Sequence, residues 1–281
     1  MDQALYQLFR DCFPTVPVAQ KALERLLPKN TEFLTTREGE RPVGMAAVAG
    51  KNILWLCTAP DKRGQGIGSD LLARAETLIR DGGHNRAVVG NPSSWLFIGA
   101  PCTKEESEEK HHAFLSKRGY RFGNSYVEMA RTLADYDVAK TPIHTPPADV
   151  SFGWATEEEY ESLRAAVAKV DRDWVNYFHK NGSHFVARRG GEVIGFTIVS
   201  FNDTTLQSDG ESVVGNIGCV GVIPEERRGG TGLYMVALAA MELKSRGCDV
   251  GYIHYTHLES WYAKLGFETF VRVMFGEKPL L

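Results

Sequence analysis

The sequence contains one short pattern twice, and that repetition limits the fold more than any other feature. Arg63-Gly64-Gln65-Gly66-Ile67-Gly68 follows Pro60, and Arg227-Arg228-Gly229-Gly230-Thr231-Gly232 follows Pro224. Pro60 and Pro224, Arg63 and Arg227, Gly66 and Gly230, and Gly68 and Gly232 each lie 164 residues apart. Shared spacing of this kind points to an internal duplication. In both copies an apolar, strand-like run (53–58 and 216–222) leads into the turn, and a helical run leads out of it. The helices are expected over 68–81 and from 232 to about 246, the second closed by Gly247. A strand entering a helix in this way leaves several backbone N–H groups unpaired and pointing one way. Glycines clear Cβ atoms from a ligand's path, and the helix dipole adds partial positive charge. Such a turn suits a pyrophosphate, with Arg63 or Arg227 at its entrance as a charge-assisted donor.

The elements around the turns repeat as well. In the second half the pattern predicts a strand over 150–154, then a helix over 155–170 with Thr156 at its start. A hairpin of 184–188 and 192–200 follows, turned by Gly190-Gly191. After the glycine turn and its helix come a strand over 250–255, a short helix over 259–265 and a final strand pair over 266–275. The first half offers strands at 32–37, 43–48 and 53–58, a helix at 68–81, a strand at 86–89 and a closing hairpin over 120–133. Leu71, Ala75 and Ile79 share one face of its helix. This half begins directly at a helix, with no strand before it. Residues 134–149 carry Pro142, Pro146 and Pro147 and no apolar period, which reads as a linker. At about 150 residues per domain, 281 residues fit two domains. The expected division is a domain over 1–133, a linker over 134–149 and a domain over 150–281. Each domain would be a mixed α+β (α/β) sheet.

Other phosphate-binding patterns do not fit. A dinucleotide-binding turn requires a third glycine where Ser69 stands, and neither turn has the Gly-Lys-Ser/Thr of a nucleotide-binding P-loop. What remains, Arg-x-x-Gly-x-Gly after strand-x-Pro, resembles the GNAT superfamily of acyl-CoA-dependent N-acyltransferases, once in each half. The resemblance implies two tandem GNAT domains, each a mixed, mostly antiparallel sheet splayed between its fourth and fifth strands, with helices on both faces. It implies acetyl-CoA as co-substrate, without a metal, lying in the splay. Its pantetheine would run beside residues 57–59, Thr58 among them, or beside Gly221, Val222 and Ile223. The pyrophosphate would rest on Arg227, Arg228, Gly229, Gly230, Thr231 and Gly232, or on Arg63, Gly64, Gly66 and Gly68.

Acyl transfer to an amine needs a neutral amine and benefits from a proton for the departing thiolate. In GNAT proteins the proton commonly comes from a tyrosine in a Tyr-x-x-x-Gly-Phe segment, which the second half carries as Tyr262 before Gly266-Phe267. The same count back from Gly119 in the first half reaches Leu115, which has no proton to give. The second half therefore reads as catalytic and the first as degenerate in its chemistry. His254, His257 and Glu259 cluster before Tyr262, with His257 and Glu259 as candidates for handling the amine proton. Where the family usually has Asn after the fifth strand, this chain has Tyr255. Cys57 and Cys219 lie on the strands before the turns. They are read as buried strand residues, with an acyl-enzyme role as the alternative.

The acceptor is less legible. Between Gly195 and Pro224 lie 29 positions, against 16 between Gly44 and Pro60. The 13 extra residues, around 202–212, include Asp203, Asp209 and Glu211, either a cation-attracting group or a solvated hairpin tip. The apolar run 95–101 either lines a pocket or is buried between domains.

Composition removes other classes. A formal net charge of −3 with no Lys/Arg block argues against nucleic acid and anionic membranes as partners, and against a transferase acting on a bound tRNA. No apolar run approaches the roughly 20 residues of a membrane span, and the first 30 residues are too charged for a signal peptide. Five cysteines without a Cys-x-x-Cys pair suit a reducing cytoplasm. The expectation is a cytoplasmic N-acetyltransferase, monomer or homodimer, acting on a small primary amine. Its rivals are an acyl-CoA sensor without turnover, and the same reaction run by the first half.

Overall fold

A computed structural model describes residues 1–16, 18–90, 100–102, 108–202 and 212–280. The chain forms two compact units, Met1–Glu128 together with Phe270–Leu281, and Met129–Thr269. The chain passes between them inside two long strands, and residues 134–149 fall within the second unit.

The first unit opens with helices α1 (Gln3–Cys12) and α2 (Gln20–Leu26). Asp2 caps α1 by accepting the Leu5 N–H at 2.8 Å. Strands β1 (Glu32–Glu38), β2 (Arg41–Ala49) and β3 (Asn52–Thr58) form an antiparallel meander. Helix α3 (Ile67–Asp81) then leads to β4 (Arg86–Val89), which is parallel to β3. Short β5 (Ala100–Cys102), helix α4 (Glu108–Ser116) and β6 (Arg121–Thr132) follow. The last strand of the chain, β12 (Glu268–Pro279), pairs antiparallel with β4 and β5 through its Arg272–Pro279 stretch. Strand β2 is buried on both faces, so its residues read as a continuous apolar run. Met45, Ala47 and Ala49 pack with Leu8, Phe9 and Leu23 of α1 and α2, while Ala46 and Val48 pack with Leu71, Ala75 and Ile79 of α3. Helices therefore cover both faces.

The second unit runs β7 (Val150–Trp154), α5 (Tyr160–Val170), β8 (His184–Arg189), β9 (Glu192–Ser200), β10 (Val214–Val222), α6 (Thr231–Ser245), β11 (Val250–Thr256) and the short α7 (Glu259–Tyr262). Its sheet order is β11-β10-β9-β8-β7, antiparallel except for the β10–β11 pair. Helices α5 and α6 both pack against β9 and β10.

The splay has the same origin in each unit. Strands β3 and β4 pair only at Asn52–Val88 and Ile53–Val89 before they part. Strands β10 and β11 pair only from Val214–Val250 to Asn216–Tyr252. Each gap opens towards the glycine turn.

Three expected elements differ. Residues 120–133 form one extended strand rather than a hairpin, because Gly123-Asn124 stays out of the left-handed region that a tight turn needs. The pair expected at 266–275 is also one strand, since Gly276–Pro279 finds its partner in β4 and not in a returning neighbour. Helix α5 starts at Tyr160 instead of 155. Residues before it are held by Thr156 N–H donating to Glu159 Oε2 at 2.8 Å, and by the ion pair of Glu159 with Arg188.

Candidate active site

The two glycine turns share one geometry. Gly66 and Gly230 cap α3 and α6 in the left-handed conformation, at φ of 86° and 79°. Arg63 Nε donates to Thr58 O at 3.4 Å, and Arg227 Nε donates to Val222 O at 2.9 Å, so each arginine folds back on its own strand. The third glycine is gripped alike in both. A Cβ on Gly68 would lie 3.3 Å from Thr58 Oγ1 and 3.5 Å from Phe114. One on Gly232 would lie 3.1 Å from Val222 Cγ2 and 3.4 Å from Trp261. The turns differ at one residue that shares the left-handed conformation. Gly64 has φ of 78°, and its counterpart Arg228 adopts 73° despite its side chain. That strains the second turn by about 1–2 kcal/mol.

In the second unit the turn opens into a cleft of about 870 Å³. Gly221, Val222, Arg227, Arg228, Gly230, Thr231 and Gly232 line it together with Tyr262 and Trp261. Thus the residues expected to hold acyl-CoA and the expected proton donor meet in one cavity. Ile223 and Gly229 are not among its lining residues. Tyr262 ends α7, and Gly266 behind it is left-handed, with the Arg131 guanidinium filling the space a Cβ would take. Arg131 also donates to Leu265 O at 2.6 Å, which fixes the segment carrying Tyr262. Tyr262 is 5% exposed, its ring edge-on to Trp261 at 4.7 Å. Burial first, and then Cys219, push the phenol well above its ordinary pKa, so it stays protonated at any working pH.

The strand walls are strained where they part. Cys219 (φ 48°) sits in a bulge between Gly218 and Gly221, and Tyr255 (φ 51°) occupies the position where the family's Asn is common. Asn visits that region several-fold more readily than tyrosine. Burial pushes the Cys219 thiol up to about 11, which makes it a poor nucleophile.

The two other catalytic candidates stand apart from the lining. His257 is exposed, and Glu259 accepts a hydrogen bond from Thr269 Oγ1 at 2.7 Å. Residues 142–144 of the segment read as a linker were not anticipated. Pro142, Ile143 and His144 line the cleft, and His144 lies against Gly230. Nothing in a proline-bearing polar segment signals that position. Asp203, Asp209 and Glu211, and residues 95–99, lie outside the described residues.

The first unit has its own cleft, about 910 Å³, lined by Thr58, Arg63, Gly64, Gly66 and Gly68. A Cβ on Gly64 or Gly66 would meet nothing within 4 Å, so both backbones present open space to a ligand. Leu115 lines this cleft as Tyr262 lines the other.

A glycine turn capping a helix beside a splayed sheet, built twice, defines the class, and the comparisons agree. Residues 148–267 match the model of the acetyltransferase (GNAT) family, and residues 29–121 that of the acetyltransferase (GNAT) domain. The chain belongs to the GNAT family and carries its domain in tandem. Members of this family use acyl-CoA as donor.

Among solved structures, it is similar to the GCN5-related glucosamine N-acetyltransferase region of a fungal multi-domain GH3 β-N-acetylglucosaminidase. Identity is 23% and the TM-score 0.71, over 97% of this chain and 36% of that one, so this chain spans about a third of that protein. A tandem GNAT protein from the clavulanic acid biosynthesis pathway is 18% identical, over 98% of this chain and 94% of that chain, with a TM-score of 0.63. A GCN5-related N-acetyltransferase from Sphaerobacter thermophilus is 17% identical, over 98% and 91%, with a TM-score of 0.65. These likenesses are of fold. No curated protein matches the chain. Among the described residues no helix is long and apolar enough to cross a membrane.

Proposed function

We propose that the chain is an N-acetyltransferase that moves an acetyl group from acetyl-CoA to a primary amine of a small molecule, with the second unit active. The observation that carries this reading is the shared cleft of the second unit, where the pyrophosphate turn and Tyr262 face one cavity. In the first unit Leu115 holds the corresponding place. In this reading the Arg227–Gly232 backbone holds the pyrophosphate, Val222 aligns the thioester, and the amine attacks directly in a ternary complex. Holding both reactants in one geometry supplies much of the acceleration. Tyr262 donates a hydrogen bond to the sulfur as the carbon–sulfur bond lengthens. His257 and Glu259 remain the candidates for taking up the amine proton through solvent. A cytoplasmic location is part of the proposal, as are a monomeric or homodimeric state and the absence of nucleic-acid, membrane and metal partners.

The test is thiol release from acetyl-CoA by the purified full chain with a panel of amines. The similarity to a glucosamine N-acetyltransferase region makes amino sugars the first acceptors to try. Tyr262→Phe is expected to lower kcat about 10²-fold, with the KM for acetyl-CoA little changed. Turnover that survives Tyr262→Phe but is lost on blocking the first cleft would move the chemistry to the first unit. Binding of acetyl-CoA with no thiol release from any amine would favour a sensor.

A further inference from the structure

The first cleft contains chemistry that this function does not use. Cys12 is the last residue of α1, and with Asp11 and Phe13–Thr15 it lines the cleft opposite Cys57 and Thr58 of β3. Its thiol donates a hydrogen bond to Thr58 O at 3.4 Å. Cys57 and Arg63 line the same cleft as Cys12, and both act on the Cys12 thiol. Cys12 is half-buried and open to the cleft, whereas Cys57 is buried. Two thiols of unequal exposure thus stand beside the turn that would hold the pyrophosphate of acyl-CoA.

We propose that this cleft is a self-acylation site, in which Cys12 takes an acyl group from acyl-CoA and holds it as a thioester. The proposal rests on the family's use of acyl-CoA and on the first turn binding it, but not on turnover in the second unit. The Cys12 sulfur, as thiolate, bonds to the thioester carbonyl carbon. The carbon–sulfur bond to CoA breaks, the acyl group stays on Cys12, and CoA leaves as a thiolate that takes its proton from water. Atoms and electrons balance without an oxidant or reductant. One thioester replaces another, so no strong acid is required to drive the leaving group, and Leu115 is no handicap. The surroundings favour the thiolate. Cys57 and then Arg63 lower the Cys12 pKa, against burial and Asp11, which raise it. Cys57 is pushed well up by its interaction with Cys12 and by burial, so it is the thiol that keeps its proton. Lys62 and Arg118 also line the cleft and add positive charge.

The experiment incubates the full chain with acetyl-CoA, quenches in acid, and reads intact mass and peptide maps alongside thiol release with amines. The expected result is a single acetyl group on the Cys12 peptide, removed by neutral hydroxylamine and absent from Cys12→Ser. Iodoacetamide should label Cys12 in the wild-type chain at a lower pH than an ordinary thiol, and CoA should block the labelling. Acetylation of Cys57 or of a lysine instead, or a Cys12 that stays unmodified while amines are acetylated, would overturn the proposal and leave the second unit's function standing. An acetylated Cys12 without amine turnover would uphold it and sink that function. Absence of acetyl-CoA binding to either cleft would remove both.

Discussion

Two glycines with nearly the same dihedral sit in different surroundings, and this separates strain from crowding. Gly66 and Gly230 are both left-handed, so alanine costs each about 1–2 kcal/mol. At Gly66 the new methyl meets nothing within 4 Å, but at Gly230 it would lie 2.8 Å from His144 Cδ2 and 3.1 Å from the His144 carbonyl oxygen. Thermal melts should therefore find Gly230→Ala less stable than Gly66→Ala by about 1 kcal/mol, the scale of an overpacked site. Arg228 presents the converse case. Arg228→Gly should stabilise the chain by about 1 kcal/mol through relief of φ, while the loss of its charge weakens acetyl-CoA binding. A melt and a calorimetric titration of the same variant would read the two effects with opposite signs. The raised phenol of Tyr262 sets a pH expectation too. Because its pKa lies above the ordinary value near 10, no alkaline limb belonging to Tyr262 should appear in the rate profile below about pH 10.

At the scale of elements, the ion pair between Arg188 of β8 and Glu159 ties β8 to the segment before α5. Arg188 Nη2 donates to Trp154 O at 2.7 Å and to Glu159 Oε2 at 2.8 Å, with both side chains 17% exposed. Glu159→Gln should cost about 1–3 kcal/mol at neutral pH in a denaturant titration. Arg188 holds the Glu159 carboxyl below its ordinary pKa, so this stability is present above about pH 4.3 and fades as the pH falls below it. The difference between wild type and variant should shrink in acid accordingly. The same scale separates what sequence could reveal from what it could not. Helix α3, β4, β9 and the two turns are visible because their signals are local: an apolar period, a β-rich run, a glycine at the cap. The meeting of the second turn with Tyr262 was legible only through the resemblance of the Tyr262–Phe267 segment to the family's pattern. The late start of α5 was hidden, since Glu159 is committed to an arginine far along the chain. His144 was hidden because nothing local brings it against Gly230. Cys12 was hidden because its partners, Cys57 and Arg63, are distant in sequence.

For the whole molecule, the informative boundary is the one that a composition-based cut misses. Residues Phe270–Leu281 belong to the first unit, where Val271 and Val273 pack with Phe9 and Trp55. A chain truncated after Thr269 should therefore unravel at its far end. Hydrogen exchange is expected to rise across β2 and β3 and to stay low across β9 and β10, and the reverse pattern would contradict the assigned units. The single strand β12 escapes a sequence reading because its partner in β4 lies some 190 positions away. This arrangement also orders events on the ribosome. The first unit has most of its residues in hand when Glu128 emerges, yet it lacks its last strand until everything up to Thr269 has been made. At synthesis rates of about 5–20 residues per second, it waits roughly 7–30 s with the edge of β4 open, while the unit encoded later becomes complete before it.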